Sequence, residues 1–281
     1  MTLKERNVFF KIGLCMAMLA IAAVAASLAA VFRVYPLVYP ILIEEAVQRP
    51  GGLLMGMLKG SVAPSAYGAF VSVLVSVAYS FVVGLCIYLS FEKTQSPEIL
   101  YIAFFVMSFA FEACRVLLPF IKVNEYPAVY LFITGRIALF GRYFGVFSLL
   151  AASIYASGFN TREQKYTIII LISVSLMFAL KAPLDGFSWN TALNVIQGYS
   201  ALFNAVEISI AVITLTGFLI SAMTRGSTAY LFISAGALLV FLGRSFLLNA
   251  DIWVASILGA LLLAAGTWLV CTRLHSVYLW L

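Results

Sequence analysis

The segment ILYIAFFVMSFAFEACRVLLPFI, residues 99–121, indicates the fold class of this chain. Its only charged residues are Glu112 and Arg115. A helix needs roughly 20 apolar residues to cross the hydrocarbon core of a bilayer, and this stretch meets that length. We therefore predict a transmembrane helix here, with two charges inside it that need a partner or a wet cavity.

The rest of the chain has the same character. Its 281 residues are 64% hydrophobic and 10% charged, with a mean hydropathy of +1.07, whereas soluble domains are about 45–50% hydrophobic. This composition excludes a soluble globular protein and a disordered one. We predict an all-α polytopic integral membrane helix bundle, with residues 1–281 as a single transmembrane domain. Eight runs reach the spanning length, near residues 8–32, 68–91, 99–121, 128–156, 166–184, 200–223, 228–248 and 252–272.

The first run also has features of a secretory signal peptide. Lys4, Arg6 and Lys11 come before an apolar stretch that ends in small residues over 22–30. Because the apolar part is longer than the core of a usual signal peptide, we expect a first helix that is not removed. Its removal would leave seven helices in the same orientation.

Basic residues outside the runs predict the orientation. We expect both the N- and C-termini to be cytoplasmic and the membrane to be the plasma membrane. The inner side then holds Lys4, Arg6, Lys93, Arg162, Lys165, Arg225 and Arg273, against Arg33, Arg49, Lys59 and Lys122 outside. The formal charge of +6 therefore reflects topology, and we expect no nucleic-acid partner because no long basic stripe is present.

The connection over residues 34–67 is unlike the short links elsewhere. It contains Pro36, Pro40, Pro50 and Pro64, and Gly52, Gly56 and Gly60 recur at four-residue spacing. A proline can open a short helix, and small residues spaced in this way favour close packing. We predict a re-entrant or interfacial segment on the outer side of the membrane, with an ordinary ordered loop as the alternative.

Ionisable residues within the apolar runs are the candidate functional residues. Each costs about 2.5–3.5 kcal/mol at a helix centre on insertion scales, so it needs a partner or a wet cavity. Arginine and lysine outnumber the acids among them, and this excess should attract a carboxylate or a phosphate group. Lys181 lies close enough to a span end to reach the lipid headgroups. We predict an outward-facing ligand pocket formed by Glu112, Arg115, Arg136, Arg142, Glu207 and Arg244.

Helix geometry predicts which of these residues can meet. Glu112 and Arg115 are three residues apart and share one helix face. Arg136 and Arg142 are six apart, about 240° around a helix, so they face different neighbours. The same charges also fit a second interpretation, in which ion pairs only lock helix against helix.

Glycine predicts one close helix contact. Gly141 and Gly145 form a GxxxG step, which lets a neighbouring helix approach closely.

The function that this pattern favours is non-catalytic. We predict binding of a small anionic solute or a lipid headgroup, by a receptor-like sensor subunit or a transporter that contacts the bilayer and another membrane protein. The alternative is a structural subunit of a membrane complex, and a lipid-modifying enzyme ranks last. Four cysteines without CxxC spacing and a lone His275 provide no metal or cofactor signature, so we expect neither.

Overall fold

A computed structural model describes residues 3–34, 66–91, 96–123, 126–158 and 164–279. Residues 35–65, which make up nearly all of the predicted 34–67 segment, lie outside these ranges, so that prediction stays untested. Nine α-helices lie within the described residues: α1 Leu3–Val34, α2 Ala66–Phe91, α3 Pro97–Ser108, α4 Cys114–Val123, α5 Ala128–Ala156, α6 Gln164–Lys181, α7 Ser200–Arg225, α8 Ala229–Leu248 and α9 Trp253–Leu279.

The described ranges contain eight helices that are long and apolar enough to cross a membrane. One of them is interrupted, because a 3₁₀ turn over Phe109–Ala113 joins α3 to α4. The prediction of an all-α fold with eight helices long and apolar enough to cross a membrane is therefore confirmed, and their insertion in a membrane remains a prediction. The cytoplasmic placement of the termini and the plasma membrane remain predictions.

The interrupted span is the centre of the bundle. Within Pro97–Leu118, 83% of the most apolar window is buried, compared with 17% for α1. The helix begins where the sequence favours a start: Pro97 lies in the first turn, and the Ser96 hydroxyl oxygen accepts a hydrogen bond from the Ile99 amide at 3.4 Å. Helices α1, α2 and α5 pack directly against it, and the bundle leaves apolar side chains on its outer surface, as a lipid-facing protein requires.

Glycines set the closest helix contacts. A Cβ atom added at Gly141 would lie 2.5 Å from the Cβ of Phe111, and one at Gly145 would meet the Ser108 hydroxyl. The predicted close approach at this GxxxG step is thus confirmed, with the interrupted span as the neighbour of α5.

Helices α8 and α9 also meet at glycines, here with backbone against backbone. Gly236 and Gly243 on α8 face Gly266 and Gly259 on α9. A Cβ at Gly243 would lie 2.6 Å from the backbone nitrogen of Leu263. The two backbones therefore approach to a distance that only glycine permits.

The start of α1 and the end of α9 lie at one end of the bundle. Arg6, near the start of α1, donates a hydrogen bond to the carbonyl of Phe91 at 2.9 Å. The Phe91 ring packs edge-on against His275, near the end of α9. Lys165 and Glu5 form an exposed ion pair at 2.6 Å, which places the start of α6 at the same end.

A β-hairpin that the sequence does not predict joins α6 to α7. Strands β1 (Leu184–Trp189) and β2 (Val195–Gln197) pair antiparallel, with an irregularity in the register. Leu193, in the turn, has a φ of 56°. This left-handed conformation costs about 1–2 kcal/mol for a residue with a side chain.

Burial of the Leu193 side chain offsets that strain. The side chain is only 5% exposed and lies in an apolar cluster with Val24, Phe70 and Val116, which come from three different helices. Burying a leucine stabilises by about 1.5–3 kcal/mol. The turn is thereby held between the helices, and it carries polar groups to the site described next.

Candidate functional site

Glu112 is the centre of a buried charge cluster. It lies in the 3₁₀ turn, and its side chain is 2% exposed. Arg142 on α5 donates from Nε to Oε1 at 2.8 Å and from Nη2 to Oε2 at 2.9 Å, in the two-pronged geometry that suits a carboxylate. Arg115 donates from Nη1 to Oε2 at 3.2 Å. One carboxylate therefore binds two guanidinium groups.

A second ion pair lies beside the first. Arg244 on α8 donates from Nη1 and Nη2 to the two oxygens of Glu207 on α7, at 3.0 and 3.1 Å. Arg244 also donates to the backbone carbonyl of Arg142 at 3.3 Å. Opposite charges of the two pairs also attract each other: Glu207 attracts Arg142, and Glu112 attracts Arg244. The five side chains thus form one cluster.

The hairpin supplies the polar groups that complete the cluster. Asn194 accepts a hydrogen bond from Arg142 Nη2 at 2.6 Å and donates one to the Leu248 carbonyl at 3.0 Å. Arg115 Nη2 donates to the Ala192 carbonyl and, at 3.4 Å, to the Ser72 hydroxyl on α2. The hairpin therefore acts as a scaffold that orients two of the three arginines.

A cavity of about 400 Å³ opens between α5, α7, α8 and the hairpin. Its charged lining consists of Arg142, Glu207 and Arg244. Two aromatic side chains, Tyr143 and Phe203, also face it. Its neutral polar lining consists of Asn190, Asn194, Gln197, Ser200, Asn204, Ser245 and Asn249.

The cluster has a formal charge of +1. Three guanidinium groups (Arg115, Arg142 and Arg244) face two carboxylates (Glu112 and Glu207). Four of these five side chains are no more than 12% exposed, so water screens their charges poorly. An uncompensated positive charge in such a place favours a bound anion.

Arg136 does not join this cluster. Its guanidinium group lies over the Phe132 ring of the same helix at 4.1 Å, as a cation–π contact, and Arg136 is not among the residues lining the cavity. The other five predicted residues are brought together. Lys181 is exposed at the end of α6. A ligand-binding role for any of these residues remains a prediction.

Sequence reasoning missed the polar residues around the charges. The side-chain amides of Asn190, Asn194, Gln197 and Asn204 all reach the cavity. Their concentration before and within the predicted sixth span was an available signal. The sequence alone does not place these amides beside the arginines, because it does not predict the hairpin that brings them there.

The fold and the site define a class, a multi-pass helical membrane protein with a buried charge cluster beside a polar cavity. Comparison with protein-family models, with curated proteins and with solved structures finds no match to this chain. In the described part of the chain, no group of three histidine, cysteine or acidic side chains is placed to hold a metal.

Asn194→Ala should destabilise the protein by about 1.5–3 kcal/mol, because a hydrogen bond to a charged group is lost and the Leu248 carbonyl loses its donor. Denaturant unfolding of the purified full chain in detergent measures this loss in the free energy of unfolding. Asn249→Ala is the matched control. Asn249 follows α8 and is exposed, and its side chain donates to the Ser245 carbonyl of that helix, so Asn249→Ala should change stability by no more than about 0.5 kcal/mol. Equal effects of the two changes would contradict the scaffold role of Asn194.

Proposed function

We propose that this protein binds a small anionic solute or an anionic lipid headgroup in the cavity beside Arg142 and Arg244. The observation that carries the proposal is a 400 Å³ cavity lined by two arginines of a cluster whose formal charge is +1. This volume lies within the range of about 300–1,000 Å³ typical of small-molecule sites.

Arg142 has a donor to spare. Its Nε and Nη2 bind Glu112 and Asn194. Within the described residues, Nη1 has no hydrogen-bond partner, although Arg142 lines the cavity. A carboxylate or phosphate oxygen placed there would gain a charge-assisted hydrogen bond and would balance the excess charge.

Two uses of such a site fit the chain. A transporter would release the anion on the opposite side of the membrane, and a sensor-like subunit would pass the binding signal to another membrane protein. Both uses share the same first step, so binding itself is the property to test.

Binding of a small anion should raise the unfolding temperature of the purified full chain in neutral detergent. The free energy of stabilisation should grow as RT ln(1 + [L]/Kd), which is about 2.7 kcal/mol at a hundredfold excess over Kd. Sulfate, propionate and lactate are suitable soluble probes. Nanodiscs that contain phosphatidylglycerol, compared with pure phosphatidylcholine nanodiscs, test the headgroup as the source.

Two arginines of α5 provide matched variants for this test. Arg142→Gln removes a cavity donor and should abolish the stabilisation by anions. Arg136→Gln removes a guanidinium outside the cluster and should leave it intact. An equal response in both variants, or no response of the wild type to any anion or anionic lipid, would overturn the proposal.

A structural subunit is the second candidate, and the pairing within the cluster favours it. Each oxygen of Glu112 and of Glu207 already accepts a hydrogen bond from an arginine. Such pairs fix helix rotation without a ligand. This candidate predicts a stoichiometric membrane-protein partner on purification in mild detergent, and no stabilisation by anions.

A further inference from the structure

Glu207 is the most accessible charged group of the cluster. Its side chain is 31% exposed, whereas that of Arg142 is 12% exposed and that of Arg244 is 7% exposed. Glu207 also lines the cavity. A bound molecule would therefore meet a carboxylate as well as the arginines.

The carboxylate of Glu207 has unused acceptor capacity. Each of its oxygens accepts one hydrogen bond from Arg244. A carboxylate has about four acceptor positions, so roughly two remain for a ligand. A negatively charged group placed beside Glu207 would be repelled unless it also offered a donor, because like charges repel.

The cavity thus has two chemically different sides. On one side Arg142 and Arg244 line it and select for negative charge. At Glu207 it offers acceptors and selects for donor groups. The amides of Gln197 and Asn204 also reach the cavity and can either donate or accept. The volume of about 400 Å³ exceeds what a monatomic or tetrahedral inorganic ion requires.

We propose that the ligand is a small organic acid that also carries a hydroxyl or ammonium donor. Its carboxylate binds at Arg142, and its donor group binds at Glu207. This inference rests on the proposed anion-binding function and names the class of solute for the same cavity. It distinguishes that class from an inorganic ion and from an anion without donors.

Three probes with the same three-carbon skeleton test this inference: propionate, lactate and 3-aminopropionate. Sulfate serves as the inorganic anion. Isothermal titration of the purified full chain in neutral detergent gives each dissociation constant. We expect lactate or 3-aminopropionate to bind about tenfold or more tightly than propionate, the size expected for one added hydrogen bond to a charged group.

Glu207→Gln should reduce the preference for the donor-bearing probe over propionate to about threefold or less, whereas Arg136→Gln, outside the cluster, should leave that preference unchanged. Should Glu207→Gln fail to fold, the ratio measured on the wild type decides alone. Propionate or sulfate binding as tightly as the donor-bearing probes would overturn this inference and support the proposed function. If none of the four probes binds, the inference is overturned, and the headgroup test in nanodiscs then decides the proposed function separately.

Discussion

Glu112→Gln should lower the free energy of unfolding by about 3–5 kcal/mol. Glu112 is the shared counter-ion of Arg115 and Arg142, at 3.2 and 2.8 Å. Glutamine keeps the volume and one acceptor oxygen, so the change isolates the charge. Without the carboxylate charge, the guanidinium groups of Arg115 and Arg142 lie side by side without a counter-ion. Arg115 is only 1% exposed, so water cannot compensate its charge. Denaturant unfolding of the purified full chain in detergent measures the loss.

Two other positions calibrate this result. Glu207→Gln removes the counter-ion of Arg244 at a more exposed place, so its cost should be smaller, about 1–2 kcal/mol. Arg136→Gln, outside the cluster, should cost only about 0.5–1 kcal/mol, for the loss of its cation–π contact with Phe132. If Glu112→Gln cost no more than Glu207→Gln, Glu112 would not be the buried centre of the cluster.

The helices could be predicted from the sequence because a bilayer sets their length. A run such as Gly68–Phe91 has a single solution in lipid, a helix whose backbone groups pair with one another. Composition alone therefore places most span boundaries within a few residues. The break at Phe109–Ala113 could not be seen in this way, because a 3₁₀ turn in an apolar run has no compositional mark.

The cluster itself was predictable only in part. The cost of a buried charge singles out Glu112, Arg142 and Glu207, since each must find a partner. That argument applies equally to Arg136, which finds its partner in the ring of Phe132 on its own helix. The rotation of each helix about its axis decides between these outcomes, and spacing along one helix does not determine it.

The hairpin was not predictable for a different reason. Its strands are short and lack a sustained alternation of apolar and polar residues, which is the signal of a strand. Its turn places Leu193 in a conformation that usually requires glycine. Tertiary burial of that side chain overrides the local preference, and Asn194 reaches Arg142 as a consequence.

Gly266→Leu should destabilise the protein by about 3 kcal/mol, through the contact between α8 and α9. A Cβ at this position would lie 2.7 Å from the Gly236 carbonyl oxygen and 2.9 Å from the Val240 backbone nitrogen. Backbone atoms cannot rotate away, so the two helices must separate, and overpacking of this kind costs about 1–3 kcal/mol or more. Helix propensity acts in the opposite direction, because leucine stabilises a helix by about 1 kcal/mol relative to glycine. We expect packing to dominate.

Ala265→Leu on the same helix separates the two effects. Ala265 is exposed on the outer surface of the bundle, so a larger apolar side chain there should be neutral to within about 0.5 kcal/mol. Thermal unfolding in detergent compares the two variants, and equal midpoints would contradict the close crossing. Separation of α8 from α9 would also shift Arg244 relative to Glu207, which it now contacts at 3.0 Å. Gly266→Leu should therefore weaken the stabilisation by anions, whereas Ala265→Leu should preserve it, because the cavity depends on where α8 lies.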